Sequence, residues 1–483
     1  MSYLGKKGYS LLKSNLNEKE QTFIRNELTV KAYIPKSPVQ PEPFSLYRES
    51  PNKFYVPRYF GQDTFGEFSE NKLSRGDDID IEFNGELRDF QKNIVNKYIH
   101  FVKDSGGGLL DVDPGKGKTV MGLYIISKLK KKTLVIVHKS FLLNQWIERI
   151  QQFLPTARVG KIQGQIIDIE DKDIVIGMLQ SLSQKDYPDN LFDSFGLSIY
   201  DETHHLGAEV FSRCMMKTIT NYTLGLSGTM QRKDGLTKVF KMFLGDVVHK
   251  EKTDTSEHKV IVKCIEYKVD DDDFNEIKYD YRGNPLYSTM ISKLCSYNHR
   301  SEFIIQVLQN ELQQNPEQQI MILAHNKSLI TYLYKAIEHR NIATVGYYIG
   351  GMKEADLKIS EGKKVIIATY AMASEGLDIK TLTTLIMASP KTDVCQSVGR
   401  ILRTKHTSPL VIDIVDSHVI FEKQWQKRRQ YYMKQKYNII SIDNHSYMTG
   451  NWQTVYDPSK SVESMKRIKN KEEPLKGVCL IKL

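Results

Sequence analysis

The sequence predicts an α/β protein with two consecutive parallel sheets, each covered by helices on both faces. The first observation is a series of short apolar runs that alternate with helix-like segments from Leu87 onward. Strands that alternate with helices in this way pair in parallel and bury both faces of their sheet. The second observation is that the alternation stops near residue 251 and restarts after residue 300. Two α/β units therefore follow each other along the chain.

Ten apolar runs are the predicted strands of these two sheets. In the first unit they are Gly108–Val112, Thr133–Val137, Ile174–Ile176, Leu197–Tyr200 and Thr223–Leu226. In the second unit they are Gln319–Ala324, Thr344–Ile349, Lys364–Ala368, Thr384–Ala388 and Leu410–Ile414.

The flanking segments differ from the two units in composition. Residues 1–85 hold six of the fifteen prolines, a density that excludes long helices and favours strands and turns. We favour an arm that wraps the next domain over a small module that engages substrate. The stretch Phe421–Tyr437 carries six Lys or Arg, with Trp425, Tyr431 and Tyr432 among them. Its spacing predicts an amphipathic helix, which either packs its aromatic rings on the second unit or contacts nucleic acid.

The expected domain boundaries follow from these changes along the chain. We assign residues 1–85 to an N-terminal accessory region, 86–250 to the first α/β domain, 251–440 to the second and 441–483 to a C-terminal tail.

Composition excludes several classes of protein. The chain has 483 residues, 40 % apolar and 26 % charged, so it can fill several cores. No apolar run reaches the roughly 18 residues of a membrane span, and the N-terminus lacks the apolar stretch of a signal peptide. The five cysteines lie at least 31 residues apart, which excludes a zinc ribbon and indicates a reducing compartment. We expect an intracellular, cytoplasmic protein, and its net charge of +10 permits a polyanionic partner.

The segment Leu109–Thr119, LLDVDPGKGKT, has the composition of a phosphate-binding loop. Its glycines let backbone N–H groups approach phosphate oxygens, its lysine supplies a positive charge, and its threonine hydroxyl can ligate Mg²⁺. Val112 stands where the strict pattern has its first glycine, so the motif alone indicates a nucleotide site without deciding it. The residues assigned to ATP here are Gly115, Lys116, Gly117, Lys118 and Thr119.

A second candidate group lies in Leu197–Leu206, LSIYDETHHL. An apolar strand that ends in Asp201 and Glu202 places two carboxylates at the carboxyl edge of a parallel sheet, where ligands bind. Asp201 can hold Mg²⁺, and Glu202 can orient and deprotonate an attacking water. His204 and His205 have no further His or Cys at ligand spacing, so we expect His204 to form hydrogen bonds instead of binding a metal.

The third candidate group is Gln396–Arg403, QSVGRILR. On a helix, Arg400 and Arg403 share one face, and Gln396 lies one turn before Arg400. Two guanidinium groups on one face can stabilise a γ-phosphate bound by another domain, as arginine fingers do. The alternative is a basic surface helix with no catalytic role.

In this order and spacing, GxGKT, DETH, Ser227-Gly228-Thr229 and Q-x-x-G-R-x-x-R resemble the motifs of superfamily 2 helicases, over roughly residues 85–440. LSGTMQRKDG, Leu226–Gly235, is similar to the branch that holds the excision-repair/transcription helicase and the phage recombination helicase. Pro43–Gly61 and the C-terminal aromatic and basic helix resemble helicases of large cytoplasmic DNA viruses, relatives of the poxvirus transcript-release helicase. Met230 replaces the proline of the SAT-P motif and Gly228 its alanine, which leaves strand separation open but not ATP hydrolysis.

The resemblance implies two tandem RecA-like domains that bind ATP and Mg²⁺ in the cleft between them. It assigns catalysis to Glu202, Gln396, Arg400 and Arg403, and the metal to Thr119 and Asp201. It adds to the ATP-binding set Gln91 and Arg88 in LRDFQ and Gly376 and Asp378 in IIATYAMASEGLDI. Coupling is assigned to His204, Ser227 and Thr229. The implied nucleic-acid contacts are His138 and Lys139, Gln180 and Ser181, and Thr369.

The implied activity is movement along nucleic acid, DNA in preference to RNA, through phosphate contacts that make binding independent of sequence and sensitive to salt. We expect a monomer without membrane contact and with transcription or replication proteins as possible partners. If the protein is viral, the resemblance places it in a replication factory or a virion. One alternative is an ATP-driven double-strand translocase or transcript-release factor that does not separate strands. RNA helicase activity and a pure binding module are less favoured.

Overall fold

The structure is a computed structural model that describes residues 2–32, 40–113, 115–202, 208–228, 237–251, 259–374, 379–402 and 409–460. The chain divides into two compact units, Met1–Thr253 and Asp254–Leu483. None of the helices within the described ranges combines the length and the apolar character that crossing a membrane requires.

The N-terminal region of the first unit is a small folded module with mostly short strands. Its elements are β1 (Ser2–Gly5), β2 (Gly8–Leu12), a 3₁₀ turn (Lys13–Asn15), α1 (Glu18–Glu27), β3 (Thr29–Val30), β4 (Phe44–Ser45), β5 (Arg48–Glu49), β6 (Lys53–Val56), α2 (Arg58–Phe65) and β7 (Glu70–Asn71). In the part that the structure describes, five strands form a sheet in the order β5-β6-β2-β1-β7, and β3 pairs with β4.

This module shares a hydrophobic core with the sheet that follows it. Tyr9 and Phe54 of the module are fully buried in one cluster with Leu109 and Phe240 of the next sheet. The hydroxyl of Tyr59 also donates to the carbonyl of Ser105 at 3.2 Å. The contacts therefore support a packing role for this region.

The first large sheet has all five strands that the sequence predicts. Its elements are α3 (Asp89–Ser105), β8 (Gly107–Val112), α4 (Lys118–Leu129), β9 (Thr133–Val137), α5 (Ser140–Phe153), β10 (Val159–Gln163), β11 (Ile166–Asp168), β12 (Ile174–Met178), α6 (Leu179–Gln184), β13 (Leu197–Asp201), α7 (Ala208–Met215), β14 (Tyr222–Ser227), α8 (Thr237–Leu244) and β15 (Val247–Glu251). Over the described ranges the order is β11-β10-β12-β9-β13-β14-β8-β15. All pairs are parallel except β10 with β11.

The second large sheet also contains its five predicted strands. Its elements are β16 (Ile261–Tyr267), α9 (Asp272–Asn275), α10 (Tyr287–Ser296), α11 (Asn298–Gln314), β17 (Gln319–Ala324), α12 (Lys327–His339), β18 (Val345–Tyr348), α13 (Glu354–Glu361), β19 (Val365–Thr369), α14 (Tyr370–Ser374), β20 (Leu382–Met387), α15 (Cys395–Val398), β21 (Leu410–Asp416), α16 (Val419–Lys434), β22 (Asn438–Asp443), a 3₁₀ turn (Tyr447–Thr449) and β23 (Gln453–Tyr456). The order among described residues is β18-β19-β17-β20-β21-β16-β22-β23.

The predicted fold class is confirmed, because both sheets are mostly parallel and their strands alternate with helices. Three strands of the second sheet were not predicted: β16, β22 and β23. β22 and β23 extend the sheet to Tyr456, beyond residue 440, where the second domain was expected to end. Central strands such as β8, β9 and β13 are buried along their whole length, which is why they appear as continuous apolar runs in the sequence.

The aromatic and basic segment near the C-terminus forms α16 and packs on its own unit. Phe421, Trp425, Arg428 and Tyr432 are buried, and their spacing of four, three and four residues places them on one helical face. The structure therefore supports the packing interpretation of this helix.

Candidate nucleotide site and arginine segment

The phosphate-binding loop has the backbone geometry that its glycines predict. Gly115 and Gly117 adopt left-handed φ angles of 83° and 81°, a conformation that side-chain-bearing residues rarely adopt. Gly117 caps the N-terminus of α4, which begins at Lys118. The unpaired N–H groups and positive end of this helix favour a phosphate group. The half-buried Thr119 follows in the first helical turn.

Gln91 lies directly against this loop. Its side-chain nitrogen donates to the carbonyl of Lys116 at 2.8 Å, and its side-chain oxygen accepts from the backbone N–H of Arg88 at 3.0 Å. Any β-carbon on Gly117 would lie 2.5 Å from the Gln91 amide nitrogen, so this packing also requires glycine. One N–H and one lone pair of the amide remain for another ligand. Arg88 is exposed at the start of α3.

The two carboxylates of the second motif and the lysine of the first form one buried charged group. The side-chain nitrogen of Lys118 lies 2.7 Å from Oε1 of Glu202, with 9 % and 23 % of the two side chains exposed. Burial raises the pKa of the neighbouring Asp201 carboxyl, Glu202 raises it further, and Lys118 opposes both. Glu202 has φ of 50°, and such a strained conformation in a residue other than glycine is frequent at functional sites.

Trp146 is a site residue that sequence reasoning missed. Its indole N–H donates to Oδ2 of Asp201 at 2.8 Å, and the ring is fully buried on α5. The hydrogen bond fixes the rotamer of the Asp201 carboxylate, which is buried from solvent. A usable signal was present, since Leu142, Leu143, Trp146 and Ile150 follow the spacing of a buried helical face.

The charge of this group suits a divalent cation. Asp201 and Glu202 contribute two negative charges when ionised, and Lys118 neutralises one of them. Within the described ranges, no cluster of three or more His, Cys, Asp or Glu side chains could hold a metal on its own. Mg²⁺ at a nucleotide site binds through one or two protein oxygens and takes its other ligands from phosphate and water. Asp201 and Thr119 are the residues that would hold it.

The predicted nucleic-acid contacts of the first unit lie at the carboxyl ends of two neighbouring strands, β9 and β12. Gln180 donates from its side chain to the backbone carbonyl of His138 at 2.9 Å. Ser181 accepts from the N–H of Gly164 at 2.9 Å. Gln180 is exposed, while Lys139 and Ser181 are half-buried. The His138 side chain is only 5 % exposed, so the other three residues are better placed to touch a polymer.

In the second unit, Thr369 and Arg400 lie on either side of a short helix. Thr369 ends β19, and its hydroxyl accepts from the N–H of Met372 at 3.4 Å in the first turn of α14. Arg400 is 5 % exposed and donates from Nε to the carbonyl of Ala373 in the same helix at 2.8 Å. One helix of five residues therefore contacts both predicted functional residues.

The helical face predicted for Gln396 and Arg400 is present only in part. The helix α15 ends at Val398, and Arg400 lies in the turn beyond it, where its N–H bonds to the carbonyl of Ser397 at 3.1 Å. The tighter i to i+3 bonding changes the angle between the two side chains from that of a regular α-helix. Gln396 is half-buried.

Five of the predicted site residues lie outside the described residues: His204, Thr229, Gly376, Asp378 and Arg403. Ser227 is described, fully buried at the end of β14.

Comparison with known proteins gives the family. The model described as type III restriction enzyme, res subunit, matches residues 84–232. A protein of Acanthamoeba polyphaga mimivirus named "Putative ATP-dependent RNA helicase" is 37 % identical over 446 residues, which cover 89 % of this chain and 85 % of the relative. This chain belongs to the superfamily 2 helicases.

Two further relatives of this helicase are also viral. The "Putative helicase" of Invertebrate iridescent virus 6 is 27 % identical and covers 74 % of this chain and 83 % of the relative. A second "Putative ATP-dependent RNA helicase", from African swine fever virus, is 27 % identical and covers 79 % of each chain. The predicted resemblance to viral helicases is confirmed, and the helicase is an ATP-hydrolysing enzyme.

Proposed function

We propose that the helicase is a motor that couples ATP hydrolysis to movement along nucleic acid. The observation that carries the proposal is the buried group of Lys118, Glu202, Asp201 and Trp146 beside the phosphate-binding loop. A buried and a partly buried acid, paired with one lysine and one indole, contribute little to stability. They are well suited to a phosphate, a cation and a water.

Each residue of the first unit has a distinct role in this proposal. The loop N–H groups and Lys118 bind the phosphates. Asp201 and Thr119 would hold Mg²⁺, which would neutralise charge on the phosphates. Glu202 orients and deprotonates the attacking water. Because Lys118 is paired with Glu202 at 2.7 Å, an arriving triphosphate competes for the ammonium group. The base is thereby released when its substrate binds.

The second unit supplies the positive charge that hydrolysis requires. Gln396, Arg400 and Arg403 act on the γ-phosphate, as arginine fingers do, and Gly376 and Asp378 complete the ATP site. Because the catalytic set is divided between two units, turnover needs their closure, and closure can be coupled to movement. Ser227, Thr229 and His204 are the residues that we assign to this coupling.

The polymer track is proposed to run past the carboxyl ends of β9 and β12 in the first unit and of β19 in the second. Lys139, Gln180, Ser181 and Thr369 contact phosphates and sugars, with His138 contributing through its backbone. Contacts of this kind carry no sequence information and weaken steeply with salt. We assign DNA as the track because of the repair and recombination branch that the motifs resemble. RNA is the second candidate, since two relatives carry RNA helicase in their names.

The test is steady-state ATP turnover with no polymer, single-stranded DNA, duplex DNA and RNA, each compared with Glu202→Gln. We expect one polymer to stimulate the wild type and the variant to lose about 10³-fold in kcat. Turnover equal to that of Glu202→Gln on every polymer would overturn the proposal. Strand displacement on a forked duplex then separates a helicase from a translocase or release factor, which would hydrolyse ATP without displacing a strand.

A further inference from the structure

Side chains of four helices donate hydrogen bonds to the backbone between β20 and α15. Four consecutive carbonyls, from residues 388–391, each accept a hydrogen bond from a side chain of a different helix. The donors are Arg300 to Ala388 at 2.7 Å, Tyr370 to Ser389 at 2.5 Å, Tyr287 to Pro390 at 3.4 Å and Arg428 to Lys391 at 2.6 Å. Residues 388–390 are buried, so their carbonyls need such partners.

Two of these donors are themselves fixed by buried carboxylates. Arg300 binds both oxygens of Asp416 at 2.6 and 2.8 Å, and Arg428 binds both oxygens of Asp413 at 2.7 and 2.8 Å. All four side chains are at most 1 % exposed. Asp413 and Asp416 lie three residues apart on β21, so they point to opposite faces of the sheet. One guanidinium group therefore donates to the 388–391 segment from each face of the sheet.

The 388–391 segment lies just before the residues that carry Arg400. We call residues 395–402 the arginine segment. Val394, Val398 and Ile401 lie in one buried cluster with Trp425 and Tyr432 of α16. The phenol of Tyr432 also donates to Asp413 at 3.1 Å. The helix α16 therefore forms the surface on which the arginine segment rests and supplies the guanidinium group that fixes its entry.

We propose that Arg428 is a positioning residue for ATP hydrolysis: with Arg300 on the opposite face, it fixes the 388–391 segment and through it the reach of Arg400. The proposal rests on the assignment of Arg400 to hydrolysis made above. The turn that carries Arg400 is too short to set its own direction. Its direction comes from the 388–391 segment before it and from α16, on which it packs. A displacement of about 1 Å at a catalytic group can cost about a hundredfold in rate.

The experiment compares Arg428→Lys with a matched variant elsewhere in the second unit. Lysine retains the charge opposite Asp413 but loses the paired geometry and the donor to Lys391. The control is Lys263→Met, which removes a 2.6 Å ion pair to the buried Glu311 and no contact to residues 388–402. We expect Arg428→Lys to lower kcat by about tenfold to hundredfold, with nucleotide affinity and polymer affinity unchanged. We expect the control to lower only the melting temperature.

A double variant separates positioning from general destabilisation. If Arg428 acts through Arg400, adding Arg428→Lys to Arg400→Ala should cost no further activity. Losses that multiply would overturn the proposal, as would a kcat for Arg428→Lys equal to that of the control. Retention of turnover in Arg400→Ala would instead refute the role of Arg400 in the proposed function, so the two failures are distinguishable.

A milder variant covers the case in which Arg428→Lys does not fold. Tyr370→Phe removes one donor, to the carbonyl of Ser389, and keeps the buried ring. A fall in kcat that disappears in the Arg400→Ala background is the expected result. A kcat equal to that of the wild type would overturn the proposal.

Discussion

The two units hold the residues that we propose for ATP hydrolysis by different means. In the first unit, the phosphate-binding loop and the acidic pair follow buried strands directly, and Lys118 lies 2.7 Å from Glu202. Gln91 and Trp146 add one hydrogen bond each, to the loop and to Asp201. In the second unit, Arg400 lies in a turn beyond a helix of four residues and bonds to α14. The segment before it, residues 388–391, is held by side chains of α10, α11, α14 and α16. Binding groups that belong to strand ends are placed by the sheet, whereas a group on a short turn has to be placed by long-range contacts.

This comparison predicts which variants lose binding and which lose only turnover. The largest effect is expected for Lys118→Met in the first unit, because one change removes the phosphate-binding charge and the partner of Glu202. We expect nucleotide affinity to fall by about a hundredfold and kcat/KM by about 10³-fold or more. Titration with a fluorescent ATP analogue and steady-state turnover measure the two quantities. A variant that bound nucleotide normally would contradict the role assigned to Lys118.

The next prediction concerns the pH dependence of stability in the second unit. Nδ1 of His325 lies 2.9 Å from the hydroxyl of Ser389, which also accepts the backbone N–H of His325 at 3.0 Å. Burial, with the nearby Lys391, lowers the pKa of His325 from 6.5 to about 4. The unfolded chain then binds a proton between pH 6.5 and 4 that the folded protein does not, so the free energy of unfolding decreases as pH falls through this window.

The lowered pKa of His325 also gives the size of the change in unfolding free energy. At 1.36 kcal/mol per pKa unit, lowering the pH from 7 to 5 should cost up to about 2 kcal/mol through His325. We expect His325→Asn to lose that much less stability than the wild type over this range, as measured by urea unfolding at both pH values. Parallel losses in the two proteins would show that the imidazole already accepts a proton in the folded state.

The smallest predicted effect returns to the first unit. Trp146→Phe keeps most of the buried ring and removes the 2.8 Å hydrogen bond to Asp201. Loss of an outer partner of a metal ligand typically costs about tenfold, so we expect about a tenfold higher Mg²⁺ requirement for turnover. The matched control is Trp452→Phe in the second unit, where the ring packs on Tyr447 with centroids 6.0 Å apart. An equal Mg²⁺ requirement for turnover in both variants would show that Trp146 does not support Asp201 as a metal ligand.

The same contrast explains what the sequence could predict. All ten predicted strands are present, because buried parallel strands are continuous apolar runs. The phosphate-binding loop and acidic pair were predictable because glycine, lysine and carboxylates stand at fixed distances from strand ends. Gln91 was assigned to ATP binding only through the family resemblance, because its bond to the Lys116 carbonyl has no local signal in the sequence.

Other features depend on contacts that no local pattern encodes. The helix through Gln396 and Arg400 was predicted to be regular, yet it ends at Val398, and Arg400 in the turn beyond it donates to the carbonyl of Ala373 in α14. Arg428 was counted among the basic residues of an amphipathic helix, and only its pairing with Asp413 on β21 distinguishes it from a surface arginine. The strands β22 and β23 were missed because they follow a helix that was taken to be the end of the second domain.

In the proposed mechanism the first unit binds the nucleotide, and the second unit promotes its hydrolysis through Arg400. The most direct measurement is nucleotide affinity and polymer-stimulated turnover on the same preparation of Arg400→Ala, next to the wild type. We expect Arg400→Ala to bind nucleotide within about threefold of the wild type and to have a kcat at least about 10³-fold lower, as for loss of an arginine finger. Stimulated turnover close to that of the wild type would contradict it.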